Sequence, residues 1–150
     1  MKIFNKITIV SVLLLFIATA SFAQAKKYAG KTHASGAVLA ASMADGKAIF
    51  GKICVACHMA DGGGVPNMNP PLIKTTYVLG DKTKLIGIVM NGLTESIDVN
   101  GDTYSNVMPA HDYLKDQEIA DVLTFVRNSF GNKASAVTLA EVKKVRAAKK

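Results

Sequence analysis

Cys54-Val55-Ala56-Cys57-His58 gathers both cysteines of the chain and one of its three histidines into five residues, and no other segment constrains the fold as strongly. Two thiols at this spacing can add across the two vinyl groups of a haem, and the histidine that follows is then held against the iron on one face of the macrocycle. That is the attachment signature of c-type haem. Cys54 and Cys57 are therefore read as carrying one covalent haem, with His58 as the proximal iron ligand. C-x-x-C also serves as a structural disulfide, a redox-active dithiol or half of a zinc site. The zinc reading needs two further ligands, and only His33 and His111 are on offer, from distant positions. The dithiol reading needs a preceding strand in a βαβ unit, whereas Ala44 to Ile53 reads as a short helix.

The N-terminus agrees with a haem protein matured outside the cytoplasm. Met1 to Lys6 is a basic lead-in, Ile7 to Ala20 is an apolar run, and Ser21-Phe22-Ala23 ends it with small residues suited to a signal peptidase. The run is shorter than the roughly 20 residues of a spanning helix. Residues 1–23 are accordingly read as a cleaved export signal rather than an anchor, and the mature chain as soluble in the periplasm or an equivalent exported compartment. In an oxidising compartment neighbouring thiols ordinarily pair; haem attachment uses both sulfurs without a disulfide.

Removing the signal leaves about 127 residues, one domain's worth. Its core is small, and an enclosed haem adds apolar area that the side chains alone do not provide. Folding is therefore expected to depend on the cofactor. The net charge of +7 is concentrated at the ends, because residues 41–132 carry seven basic and ten acidic side chains, a net of −3. Lys26, Lys27 and Lys31 precede that stretch, and Lys133, Lys143, Lys144, Arg146, Lys149 and Lys150 follow it. Such runs read as solvated tails, and nucleic acid is not expected as a partner of an exported protein.

Along the chain, residues 24–42 are rich in Ala, Gly, Lys and Ser without apolar periodicity and read as a flexible lead. The domain is placed at 43–132 and a basic tail at 133–150. Asp45 is read as capping a first helix in which Ala48, Ile49 and Ile53 recur at helical spacing. Asp61 to Asn67 is loop by its glycines and proline, and Asn69-Pro70-Pro71-Leu72 is extended. A second helix follows Asp81, with Leu85, Ile86 and Val89 as its stripe and Asn91-Gly92 as its stop. Ile97 and Val99 alternate ahead of Asn100-Gly101, the dipeptide of a tight hairpin. Asp116-Gln117-Glu118 opens a third helix with Ile119, Val122, Leu123, Val126 and Phe130 on one face, ended by Gly131-Asn132. Thr138 to Glu141 has capping-box spacing for a short tail helix.

The iron needs a ligand on its second face. Met59 adjoins the proximal histidine and cannot cross the ring, Met43 and His33 lie before the domain or at its edge, and Met90 falls within a helix. Met68 and Met108 remain, with His111 behind them. Met108 stands 50 positions after His58, far enough for the chain to wrap a porphyrin, in the loop Asn106-Val107-Met108-Pro109-Ala110. Met/His is a common haem ligand pair, so Met108 is preferred, and His111 reads as an exposed loop side chain.

From Ala44 to Gly131 the chain resembles monohaem class I cytochrome c, on four motifs in order. Gly46 and Phe50 match the glycine and aromatic of the family's first helix, which pack across the last helix at Val122 and Phe125. C-x-x-C-H follows. Pro70-Pro71-Leu72 matches the Pro-x-Leu step, whose proline carbonyl accepts a hydrogen bond from the proximal imidazole in relatives. Met108-Pro109 matches the distal Met-Pro. The resemblance implies an all-α fold of three to five helices wrapped around one haem, with room for one short β-hairpin. It departs from the family in two places: Lys115 stands where relatives often put a Ser or Thr helix cap, and the chain has no tryptophan for a haem propionate. Tyr104, Asn106 and Tyr113 are the candidates for that contact.

With both axial positions filled, the site is expected to pass single electrons rather than activate a substrate. The chain then reads as a monomeric carrier, not an enzyme, serving redox partners such as a dehydrogenase, a reductase or a terminal oxidase, or as the cytochrome subunit of such a complex. The competing reading is a haem enzyme or gas sensor, peroxidase-like, in which Met108 is displaced and His111 acts as the distal acid or base.

Overall fold

The computed structural model describes residues 35–148. The expected signal and most of the lead, residues 1–34, lie outside them, as do Lys149 and Lys150. The chain divides into two compact units, Met1–Val38 and Leu39–Lys150. In the first, residues 35–38 are helical; everything below concerns the second.

Helix α1 covers residues 39–49, so helix is present where a flexible lead was expected up to residue 42. Asp45 is not its cap. The reason is local: Leu39, Ala40, Ala41, Met43 and Ala44 are strong helix formers and give no cause to start at Asp45. Ser42 donates a hydrogen bond to the Asp121 carboxylate at 2.6 Å. One turn on, Gly46 lets α1 touch the last core helix directly: a Cβ there would overlap the Asp121 carbonyl and come 2.8 Å from Phe125 Cβ. The close contact falls on Asp121 and Phe125, one residue from the expected Val122. The helix then widens into a π turn, Phe50–Cys54, and closes as α2, Val55–His58. π turns cluster at functional sites, and this one delivers Cys54.

Beyond the loop come α3, Thr76–Leu79, and α4, Lys82–Asn91. Thr75 and Asp81 cap them by accepting from the Val78 and Lys84 N–H groups. Gly92 stops α4 at φ 74°. Strands β1, Ile97–Val99, and β2, Asp102–Tyr104, pair antiparallel with Ile97 opposite Tyr104. Asn100 and Gly101 turn between them at φ 54° and 99°, which only a residue tolerant of the left-handed region adopts cheaply.

Helix α5, Asp116–Arg127, buries Ile119, Ala120, Val122, Leu123 and Val126. In place of a Ser or Thr cap, the Glu118 carboxylate accepts from the Lys115 N–H at 2.8 Å. The helix ends at Arg127 rather than at Gly131. Asn128 folds its side chain onto the Thr124 carbonyl, and Phe130 takes φ 57°. That turn brings Phe130 back onto Phe50 and Phe125, with ring centroids 5.3 and 5.6 Å away.

The basic tail is not a solvated run. Thr138 and Glu141 form the expected capping box, and α6, Leu139–Ala148, packs on α4 and α5 with Val137 and Val142 in the core. Lys82 pairs with Glu141 at 2.7 Å, and Arg146 pairs with Asp116. Lys133, Lys143 and Lys144 stay exposed. The tail docks because its apolar residues share a face; composition alone hides that.

Asn132 ties the loop at residues 72–74 to α5. Its amide donates to the Leu72 and Val126 carbonyls, and its side-chain oxygen accepts from the Lys74 N–H, all within 2.9 Å. Asn132→Ala strands these buried groups and should lower the stability of the holoprotein by about 3 kcal/mol, read as a fall in the urea midpoint at unchanged slope.

Candidate cofactor site

One cavity, partly open to solvent, brings the sequence-selected residues together: Cys54, Cys57, His58 and Met108 all line it. Between them the wall is apolar, formed by Ile53, Leu72, Leu85, Val99, Leu123 and Val126 among others. An amphiphilic macrocycle fits such a slot: an apolar body, two thiols on one wall and an imidazole and a thioether among the lining groups.

His58 is fixed from behind. Its Nδ1 lies 3.0 Å from the Pro70 carbonyl oxygen, so Nδ1 donates and Nε2 keeps its lone pair for a metal. This identifies Pro70 as the proline that accepts from the imidazole. The backbone of the box is tied to the same loop, since the Gly64 N–H donates to the His58 carbonyl at 3.1 Å and the Leu72 N–H to the Gly62 carbonyl at 2.7 Å. Burial holds His58 below the usual imidazole range, with the Pro70 contact opposing and His111 adding to it. The ring is therefore neutral near pH 7, the form that ligates.

The Cys54 thiol is not that of an activated redox dithiol. Cys54 is pushed up to about 11, first by burial and then by Cys57, the opposite of the depression that activates catalytic cysteines. A buried, neutral sulfur suits a thioether. Among the described residues no three His, Cys, Asp or Glu side chains converge as a metal cage; His33, named for the zinc reading, lies outside them.

Met108 is held by the end of α4. Its N–H donates to the Leu93 carbonyl and its carbonyl accepts from the Leu93 N–H, both at 2.9 Å. Met68 is 50% exposed and stands off the cavity, and Met90 is buried in the core. His111 is not an exposed loop side chain: it lines the cavity with its Nδ1 buried and unpaired, and its N–H donates to the Val89 carbonyl at 2.9 Å. Pro109 beside Met108 signalled a loop, and nothing in the spelling distinguished an inward from an outward histidine. Of the three propionate candidates, Tyr104 is buried against the cavity and Asn106 lines it while donating to Asn69 Oδ1 at 3.3 Å. Tyr113 is 68% exposed and stands off the cavity.

Comparison with known proteins gives the same picture. The sequence profile of the family described as cytochrome c matches residues 43–130. A cytochrome c-552 of Thermus thermophilus is 36% identical over 120 residues, covering 74% of this chain and 80% of that protein. The cytochrome c subunit of the quinone alcohol dehydrogenase of Gluconacetobacter polyoxogenes is 41% identical over 100 residues, 63% of this chain and 21% of that protein. The cytochrome c subunit of gluconate 2-dehydrogenase from Pantoea cypripedii is 37% identical over 99 residues, 64% of this chain and 22% of that protein.

Gly92 carries the tightest geometric demand on the Met108 side. It combines φ 74° with a position where a Cβ would overlap the Met108 carbonyl and come 2.9 Å from the Ala110 nitrogen. Gly101 has a positive φ but open space. Gly92→Ala should therefore cost about 3 kcal/mol, strain plus overlap, and Gly101→Ala only about 1 kcal/mol, compared as urea midpoints of the two holoproteins.

Proposed function

The chain belongs to the cytochrome c family, and on that premise we propose that it carries single electrons through one haem c bonded to Cys54 and Cys57, with His58 and Met108 as axial ligands. The family binds haem covalently, and its members here are electron-transfer proteins rather than enzymes in themselves. The observation that supports the ligand set best is the shared cavity: it is lined by His58, oriented by Pro70, and by Met108, held by Leu93.

The bound haem supplies a one-electron ferric/ferrous couple. The protein's part is positional. Pro70 holds the His58 ring and raises the basicity of its free nitrogen. The Leu93 pairing keeps the Met108 thioether in place in both oxidation states, which limits rearrangement, and thioether ligation favours the ferrous form. The apolar wall excludes water and works in the same direction, since burying the more charged ferric state costs more. Cys57 is exposed while Cys54 is half-buried, which supports electron exit at the edge beside Cys57 through a small, short-lived contact with a partner.

Residues 1–23 are proposed as an export signal removed on the way to the periplasm, leaving a soluble monomer. No helix of the described residues is long and apolar enough to cross a membrane. Relatives named as cytochrome subunits of alcohol, gluconate and fructose dehydrogenases support a dehydrogenase as electron donor, with a reductase or terminal oxidase as acceptor. A second reading, in which Met108 yields and the iron acts as enzyme or sensor, draws on the unpaired Nδ1 of His111; the double Leu93 pairing of Met108 weighs against it.

The purified exported protein should keep its colour through acid-acetone extraction and show, when ferric, the methionine-to-iron charge-transfer band. Met108→Ala should abolish that band, turn the ferric iron high-spin and lower the reduction potential by on the order of 100 mV. A band that survives Met108→Ala and disappears with Met68→Ala or His111→Ala would overturn the assignment.

A further inference from the structure

Past Met108 and His111 the chain makes an exit segment to α5 in which Asp112 and Tyr113 are exposed and Leu114 turns back to line the cavity. This exit segment is gripped from outside by one side chain of α6. Arg146 pairs through Nε with the Asp116 carboxylate, donates through one terminal nitrogen to the Asp112 carbonyl at 3.0 Å, and through the other to the Leu114 carbonyl at 2.8 Å. All three nitrogens of the guanidinium are engaged, a fan that an ammonium cannot reproduce. From inside, the same stretch is held by α4: Leu93 pairs with Met108, and the Val89 carbonyl accepts from the His111 N–H. The Leu114 N–H donates back to the His111 carbonyl at 3.1 Å, which makes residues 111–114 one closed turn. Arg146 lies beyond residues 43–130, the span of the family profile, so this outer grip is added to the family domain by the C-terminal helix.

We infer that Arg146 is a positioning residue for the sixth iron ligand: by gripping the turn that follows Met108, it opposes release of the thioether and so limits how readily the iron accepts a foreign ligand. The inference rests on the Met108 ligation proposed above. Its physical basis is that Met108 can swing out only if its loop moves, and the loop is closed at one end by α4 and at the other by the Arg146 fan. Loosening the second end lowers the free-energy difference between the closed and open loop, and a ligand that binds only the open state gains apparent affinity by the same factor. Other anchors of α6, such as Lys82 with Glu141, stabilise the fold without touching this turn.

The test is a titration of the ferric holoprotein with imidazole, followed by absorbance. Arg146→Gln should raise the apparent imidazole affinity about tenfold and weaken the charge-transfer band at temperatures below the unfolding midpoint. Lys82→Met, which removes another anchor of α6, should stay within about twofold of the parent, and Arg146→Gln introduced into the Met108→Ala background should stay within about twofold of Met108→Ala alone, where there is no thioether left to restrain. If Arg146→Gln does not fold, Asp116→Asn takes its place, and a rise of about twofold or more supports the inference. A change smaller than that in the parent background, or an equal change with and without Met108, overturns it. A parent protein lacking the charge-transfer band removes the methionine reading itself; a parent that shows the band but ignores Arg146 removes this inference alone.

Discussion

The contact from His58 Nδ1 to the Pro70 carbonyl, 3.0 Å long, organises the cofactor side of this protein. A histidine ring at the end of a four-residue helix would otherwise rotate freely. The proline carbonyl fixes its plane and its tautomer together, and the extended Pro70-Pro71 stretch is rigid because neither residue can vary φ. The loop between box and prolines exists to bring these two partners together. Its glycines allow close backbone approach, most tightly at Gly64, where a Cβ would overlap the Asn69 carbonyl.

The Met108 side of the cavity is built on a different principle. Met108 belongs to no helix and is placed by backbone pairing to Leu93, immediately after the glycine that ends α4. Helix α4 is in turn held by α5 and α6, and the three-ring cluster of Phe50, Phe125 and Phe130 locks α1 to α5. The two sides are thus joined through packed helices and by one direct contact, Asn106 donating to Asn69 Oδ1, and the helices cannot slide without opening close-packed ring contacts.

The box, the second and third helices and the hairpin were legible because each is written in contiguous residues with a local physical signature, whereas the pairing of His58 with a proline carbonyl came from the family resemblance alone. Asn100-Gly101 announces its turn, and Asp81 and Gly92 bracket α4. What the sequence concealed depends on partners distant along the chain. The docking of α6 rests on Val137 and Val142 finding a common core, and a count of lysines points the other way. The inward turn of His111 and the buried hydrogen-bond fan of Asn132 are likewise invisible to a windowed reading. Met108 lies between these cases: elimination and resemblance singled it out, but only the fold explains how a loop residue is held at the cavity.

The π turn at Phe50–Cys54 has a consequence for how this chain can tolerate length changes. It contains one residue more than an α-helical path would use, so deleting a residue there leaves a continuous, well-formed helix. Because the widened turn absorbs that residue, the helix faces before and after it stay in phase, and Gly46 can still meet Asp121 while the sulfurs keep their places. A further residue gained or lost in the same helix has no such turn to absorb it: everything before the box would be rotated by roughly 100° relative to it, uncoupling the sheath of packed helices from the chemistry it encloses.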